Sequence, residues 1–321
     1  MPKCLVNERS VKVERTKVIT EGAMMLAIFA ILLAVSVYVP IISIVGALFL
    51  LLPFLIYSAK YPAGPAFGLL ACSVALSFII GGVISVPLAI MYGTTGLMMG
   101  ALIRRQSDGW IVYMGGSLVF LLNLIVQYAA AMWLFDISFA DEFSKAFKES
   151  AAETSRVLGQ EVPYTGEEIN TLIEYMNAIL PAILTALAFL TVLLLRTVNY
   201  PIAKRLGVKI KPLQPFRTVR LPRTILWYYL LLMAGAIFVQ PEPGTSWYDI
   251  YVNVLFILQA CLYIQGLSFV FFFAHSKKWP KAIPVLAALL SIPLIPLLYL
   301  IRLLGIIDLG FDLRQRMQKK R

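Results

Sequence analysis

The sequence predicts an all-α protein, a polytopic bundle that crosses a bilayer about eight times and closes with a proline-broken or re-entrant segment. Three observations carry that reading. Of 321 residues, 60% are hydrophobic and 14% charged, with a mean hydropathy of +0.82; a soluble globule sits near half apolar and a quarter charged. Apolar runs of about twenty residues, long enough to span ~30 Å of hydrocarbon, recur along most of the chain. The segments between them alternate in charge.

Residues 1–19 form a polar tail carrying Lys3, Arg9, Lys12, Arg15 and Lys17. The apolar run from Glu21 to Val39 is too long for a cleavable signal core and no A-x-A site follows, so it reads as a retained first span. Further spans are predicted at 41–58, 64–80, 83–103, 110–135, 172–196, 224–240 and 249–274. Turn chemistry separates them at Pro40, Tyr61 to Pro65, Gly81-Gly82 and Ser107-Asp108-Gly109.

Loop charge orients these spans, because Lys and Arg resist translocation. The tail, Lys60, Arg104 with Arg105, the eight bases from Arg196 to Arg223, and Lys277, Lys278 and Lys281 fall on alternate loops. The intervening 136–174 segment carries nine acids against three bases, and 240–249 only Glu242 and Asp249. The expected topology therefore has a cytoplasmic N-terminus, the chain being a multi-pass protein of the plasma membrane. It divides into a six-span bundle over 20–196 with an external acidic loop at 136–170, a basic cytoplasmic loop at 197–223, and a C-terminal membrane hairpin, broken helix and basic tail over 224–321. A full ninth crossing at 282–307 would place Arg302, Arg314, Arg316, Lys319, Lys320 and Arg321 outside. Pro284, Pro293 and Pro296 favour instead a pair of half-helices that returns to the cytoplasm, its backbone buried among other helices.

Phe139, Phe143 and Phe147 repeat at helical spacing in the acidic loop. That spacing suits an amphipathic helix, either lying on the outer leaflet or packed onto the spans.

Sites of chemistry are few. Phosphate-loop, zinc-protease, nucleophile-elbow and dinucleotide motifs are absent from the sequence. Cys4, Cys72 and Cys261 are scattered, and His275 is the sole histidine, so no metal site, cofactor or enzymatic activity is expected. Polar residues inside spans are default functional candidates. Asn123 and Gln127, one turn apart, and Gln259 and Gln265 either line a cavity or bond between helices. Glu21 reads as a charge at the start of the first helix. Ala23, Ala27, Ala30 and Ala34 recur at close-packing spacing, for use within the monomer or against a partner membrane subunit; Gly96 and Gly100 repeat the spacing. The basic loop is expected to attract anionic lipid rather than nucleic acid. Asp308, Asp312 and Arg314 close the chain; Asp308 and Asp312 lie four apart, which suits metal or phosphate binding or salt bridges from Asp308 to Arg302 and from Asp312 to Arg316.

Thr20-Glu21-Gly22-Ala23, Leu221-Pro222-Arg223, Ile264-Gln265-Gly266-Leu267-Ser268 and the run from Gly305 to Arg314 resemble the YybS-like family of bacterial membrane proteins (domain of unknown function family 2232), over nearly the whole length. The family has no assigned activity, so the resemblance implies a lineage, Gram-positive bacteria, rather than a mechanism. The first six spans are also similar in layout to the S components of energy-coupling-factor vitamin transporters, a likeness of fold that implies no substrate. Two functions follow as expectations. One is a small-molecule binding or transport subunit whose ATPases are separate chains. The other is a non-transport scaffold or regulator that binds partners through its basic loop and C-terminal tail.

Overall fold

The computed structural model describes residues 2–135, 139–158, 166–212, 214–239 and 241–319. Among them are twelve helices: α1 Pro2–Tyr38, α2 Ser43–Phe49, α3 Leu51–Lys60, α4 Ala63–Arg104, α5 Gly109–Phe135, α6 Phe139–Leu158, α7 Gly166–Arg205, α8 Thr224–Val239, α9 Ser246–Ser276, α10 Ala282–Leu290, α11 Ile295–Phe311 and α12 Leu313–Lys319. Among the described residues, seven stretches are long and apolar enough to cross a membrane, and an eighth results if the bent pair α10–α11 counts as one span. The chain divides into two compact units, one formed by residues 1–136 and 184–213, the other by 137–183 and 214–321.

Seven of the eight predicted spans fall on these seven stretches, while the predicted span at 224–240 falls on α8, which is apolar but, at 16 residues, shorter than they are. α2 and α3 together make the second. α4 contains the third and fourth, separated where Gly81 and Gly82 leave helical geometry. Gly82 takes φ 66°, a conformation open to glycine at little cost. Pro87 lies five residues after Gly82, near the start of the helix that follows the break.

In the first unit, Met25, Phe29 and Leu33 on α1 pack into a core with Leu50, Leu51, Phe54, Leu55 and Tyr57. Gly96 and Gly100 do what their spacing predicts. A Cβ at Gly96 would lie 2.9 Å from the Leu51 carbonyl, and one at Gly100 2.9 Å from the Ala59 nitrogen, so α4 and α3 touch backbone to backbone. Glu21, Lys60, Arg104 and Asp108 share one end of this unit: Lys60 Nζ lies 3.4 Å from Glu21, Arg104 donates to the Tyr61 carbonyl, and Lys211 pairs with Asp108 at 3.9 Å. Tyr38 donates to the Ile80 carbonyl at the opposite end.

Two expectations change. α1 is helical from Pro2, so Glu21 is an interior helical residue, and Lys60 rather than the helix dipole holds its charge. Arg196, read as a loop base, is 5% exposed. It stacks over Tyr200 at 4.7 Å and donates to the Gly109 carbonyl at 3.5 Å, which together offset part of the cost of burying a cation.

In the second unit, Asn253 on α9 accepts from the Ala182 amide of α7 at 2.8 Å. α6 covers the segment in which phenylalanine spacing predicts a helix; the side chains of Phe139 and Phe143, and Asp136 and Glu161, lie outside what is described. α10 and α11 meet at a bend of 117°, with Pro293 in the break and Pro284 and Pro296 in first turns. None of the three interrupts a helix interior. The bend exceeds a right angle and sets α11 antiparallel to α9, Gly305 facing Leu262 and Gly266 facing Ile301.

Candidate functional site: a buried arginine clasp

α9 and α11 meet at two glycines. A Cβ on Gly266 would overlap the Ile301 carbonyl, and a Cβ on Gly305 the Leu262 carbonyl. This approach brings Gln265 against Asp308, with Nε2 donating to Oδ2 at 2.6 Å. α11 then ends at Asp312, which sits in the left-handed region at φ 50°. Asp tolerates that conformation better than most residues. The reversal carries Arg314 back over the end of α9.

Arg314 is 1% exposed. Its Nε donates to Asp308 Oδ2 at 2.9 Å, Nη1 to the carbonyls of Arg217 at 2.9 Å and Val219 at 3.1 Å, and Nη2 to Ser268 Oγ at 3.2 Å. The face of the guanidinium lies 5.5 Å from the Phe272 ring centre. Only arginine combines a planar fork with this many donors. Burial pulls its pKa down, and the Asp308 carboxylate opposes that fall. Ser268 directs its one hydroxyl proton toward the Phe216 and Val219 carbonyls, each at 2.8 Å, and Gln265 Oε1 accepts from the Leu221 amide at 3.0 Å.

The clasp thus holds the segment from Phe216 to Leu221 by its backbone. Backbone capture leaves the basic side chains of that segment outside. Arg220 and Arg223 flank Asp312 at 3.3 and 2.9 Å, and Arg217 Nη1 lies 3.3 Å from His275 Nδ1, which requires the imidazole to accept there. Lys277 and Lys278 follow at the end of α9. Two arginines around one carboxylate leave the patch net positive.

A family model described as "Predicted membrane protein (DUF2232)" matches residues 27–309. The chain belongs to that family. Over 310 residues this DUF2232 protein is 27% identical to "Uncharacterized protein YybS" of Bacillus subtilis (strain 168), a match covering 95% of this chain and 100% of the relative. No solved structure matches. The family match includes Gln265, Gly266, Ser268, Gly305 and Asp308; Arg314 follows five residues after it ends.

Three residues expected at functional positions in the DUF2232 chain, Gln265, Asp308 and Arg314, are joined directly, with Asp312 at their rim. The anticipated partners of the carboxylates are corrected. Asp308 pairs with Arg314 rather than Arg302, whose guanidinium lies 5.0 Å from the Tyr299 ring centre, and Asp312 pairs with Arg220 and Arg223 rather than Arg316. Asp312 has left the helix, so the two carboxylates share no helical face, and arginine occupies each. Gln259, half-buried a turn and a half earlier on α9, takes no part in the clasp.

Asn123 and Gln127 lie in the first unit and link helices. Asn123 Nδ2 donates to Thr94 Oγ1 at 3.0 Å and Gln127 Nε2 to the Pro87 carbonyl at 3.1 Å. Replacing either with alanine is expected to cost ~0.6 kcal/mol, the average for such bonds within membranes, read as a small shift in thermal unfolding in detergent. Ala23 and Ala27 are exposed, and Ala30 and Ala34 half-buried, because the Met25, Phe29 and Leu33 stripe makes the contact of α1 with the core. Sequence reasoning missed Ser268 as a member of the site and treated Arg217, Arg220 and Arg223 only as loop charge. The signal was the Gln265-Gly266-x-Ser268 spacing, which sets a polar residue on either side of a close-approach glycine.

Proposed function

We propose that this protein is a non-catalytic, non-transporting scaffold or regulator of the bacterial plasma membrane, which docks an acidic segment of a membrane partner on the basic patch beside the clasp. The observation that carries this reading is the backbone capture of residues 216–221 by Arg314, Ser268 and Gln265. A loop serving only as topological charge needs no such support. The alternative, a small-molecule binding subunit driven by separate ATPases, draws on Asn123 and Gln127, and both are engaged between helices. In the proposed topology the N-terminus, the patch and the C-terminal tail are cytoplasmic, and α10–α11 is re-entrant. The meeting of Arg217 with His275 and of Asp312 with Arg220 supports this, since residues on either side of the bent pair share one end of their unit. Anionic lipid is expected to surround the same loop.

The test is purification of the tagged protein in mild detergent from its native membrane, beside an Arg220→Gln/Arg223→Gln variant that retains Arg314. A membrane partner recovered with the wild type and lost with the variant supports docking. Recovery of ATPase subunits or a retained small molecule with both overturns it. Cysteines introduced one at a time, as Arg316→Cys and Lys145→Cys, in a background without Cys4, Cys72 and Cys261 test the topology. The expected result is that external maleimide labels only the second.

A further inference from the structure

A second basic site in the first unit shares no residue with the patch at Arg220 and is independent of the proposal built on it. The end of α3, the end of α4 and the chain just beyond α7 enclose a cleft of about 190 Å³, lined by Lys60, Ile103, Arg104, Gln106, Val208 and Lys209 among others. Three of its lining residues are cationic and none is a carboxylate.

Helix C-termini carry partial negative charge and by themselves repel anions. Here their carbonyls are already engaged. Gln106 at φ 57° and Gly207 at φ 87° close two left-handed caps. The amides of Gln106 and Ser107 donate to Ile103 and Leu102 at 2.9 and 3.1 Å, and those of Gly207 and Val208 to Lys204 and Ala203 at 3.1 and 3.0 Å. Arg104 Nη1 occupies the Ser58 and Tyr61 carbonyls at the end of α3. Lys60 lies 3.4 Å from Glu21 but has three N–H donors to place, and Lys209 is exposed. What faces the cleft is therefore cationic side chain, with the opposing carbonyls withdrawn into caps.

The candidate spans end at Lys60, Arg104 and Arg205, which sets the cleft at the level of lipid headgroups. Ile103 and Val208 give it an apolar wall, and Leu206 beside it is 51% exposed. We infer that this cleft binds a phosphate group, held by Lys60, Arg104 and Lys209, with an apolar flank suited to the body of a phospholipid. The group comes either from an anionic headgroup or from a soluble phosphorylated molecule.

The full-length protein and its Lys60→Gln/Lys209→Gln variant would be compared by native mass spectrometry after exchange into micelles containing phosphatidylglycerol or phosphatidylcholine. Thermal shift with inorganic phosphate in lipid-free detergent forms a second arm. If the source is lipid, the wild type retains phosphatidylglycerol over phosphatidylcholine, and retention falls about fivefold per lysine removed, the factor matching ~1 kcal/mol per base near a charged surface. If the source is soluble, millimolar phosphate raises the unfolding temperature of the wild type and not of the variant. Lys60→Arg/Lys209→Arg restores either response. Equal lipid retention and no phosphate shift in wild type and variant overturn the proposal. Should the double variant misfold, Lys209→Gln alone carries the test, since the backbone caps do not use that side chain.

Discussion

Replacing Gly266 with leucine is expected to separate α9 from α11 and to unfold the clasp with them. Within a bilayer, helices gain no hydrophobic driving force from meeting, and their association rests on close packing and interhelical hydrogen bonds. At Gly266 and Gly305 the backbones are near enough that even a Cβ overlaps a carbonyl of the other helix. A flexible side chain could rotate aside; a carbonyl in a helix cannot. The cost should reach or exceed the upper end of the ~1–3 kcal/mol typical of overpacking. Gly305→Leu should behave alike, because it meets the same contact from the other side. Gly310→Ala provides the control, since its Cβ meets only Leu226 Cδ2 at 3.6 Å. The readout is thermal unfolding followed by fluorescence-detected size exclusion. The two leucine variants should lose the monodisperse peak well below the wild-type temperature, while Gly310→Ala stays near it. Equal melting of all four proteins would mean that the glycine contact contributes little.

Much of this architecture was legible because membrane-spanning length translates directly into apolar run length. The run of 249–274 became α9, and that of 110–135 became α5, with ends a few residues away. The bend before α11 was legible for a related reason, since Pro293 and Pro296 cannot both sit inside one straight helix. The pairing of charges was not legible. Asp308 and Asp312 are four residues apart, which on a continuing helix means one face, but the left-handed turn at Asp312 breaks that periodicity, and no glycine marks it. Arg314 spends two donors on backbone carbonyls, and carbonyls are the same in every sequence. The glycines that bring Gln265 to Asp308 sit in different helices, so neither reveals its counterpart. α1 was under-read because its first turns are polar, which hides a helix from any test based on hydropathy.

The clasp itself should show strong coupling between its two charges. Arg314→Met leaves the Asp308 carboxylate buried with Gln265 as its remaining partner, and Asp308→Leu leaves a buried guanidinium without its counter-ion. Removing one partner of a buried pair typically costs ~3–5 kcal/mol, whereas replacing both with apolar residues is often near neutral. The double variant is therefore expected to be more stable than either single one. It should not regain the wild-type value, because Arg314 also satisfies the carbonyls of Arg217 and Val219, and methionine offers no donor to replace it. Those carbonyls should then loosen from the bundle. Limited proteolysis separates the two consequences. Trypsin should cut after Arg217 or Arg220 faster in the double variant than in the wild type, even where their melting temperatures lie close together. If cleavage there is unchanged while stability falls, the ion pair supports the helices alone, and the basic patch is held by the Ser268 and Gln265 bonds without Arg314.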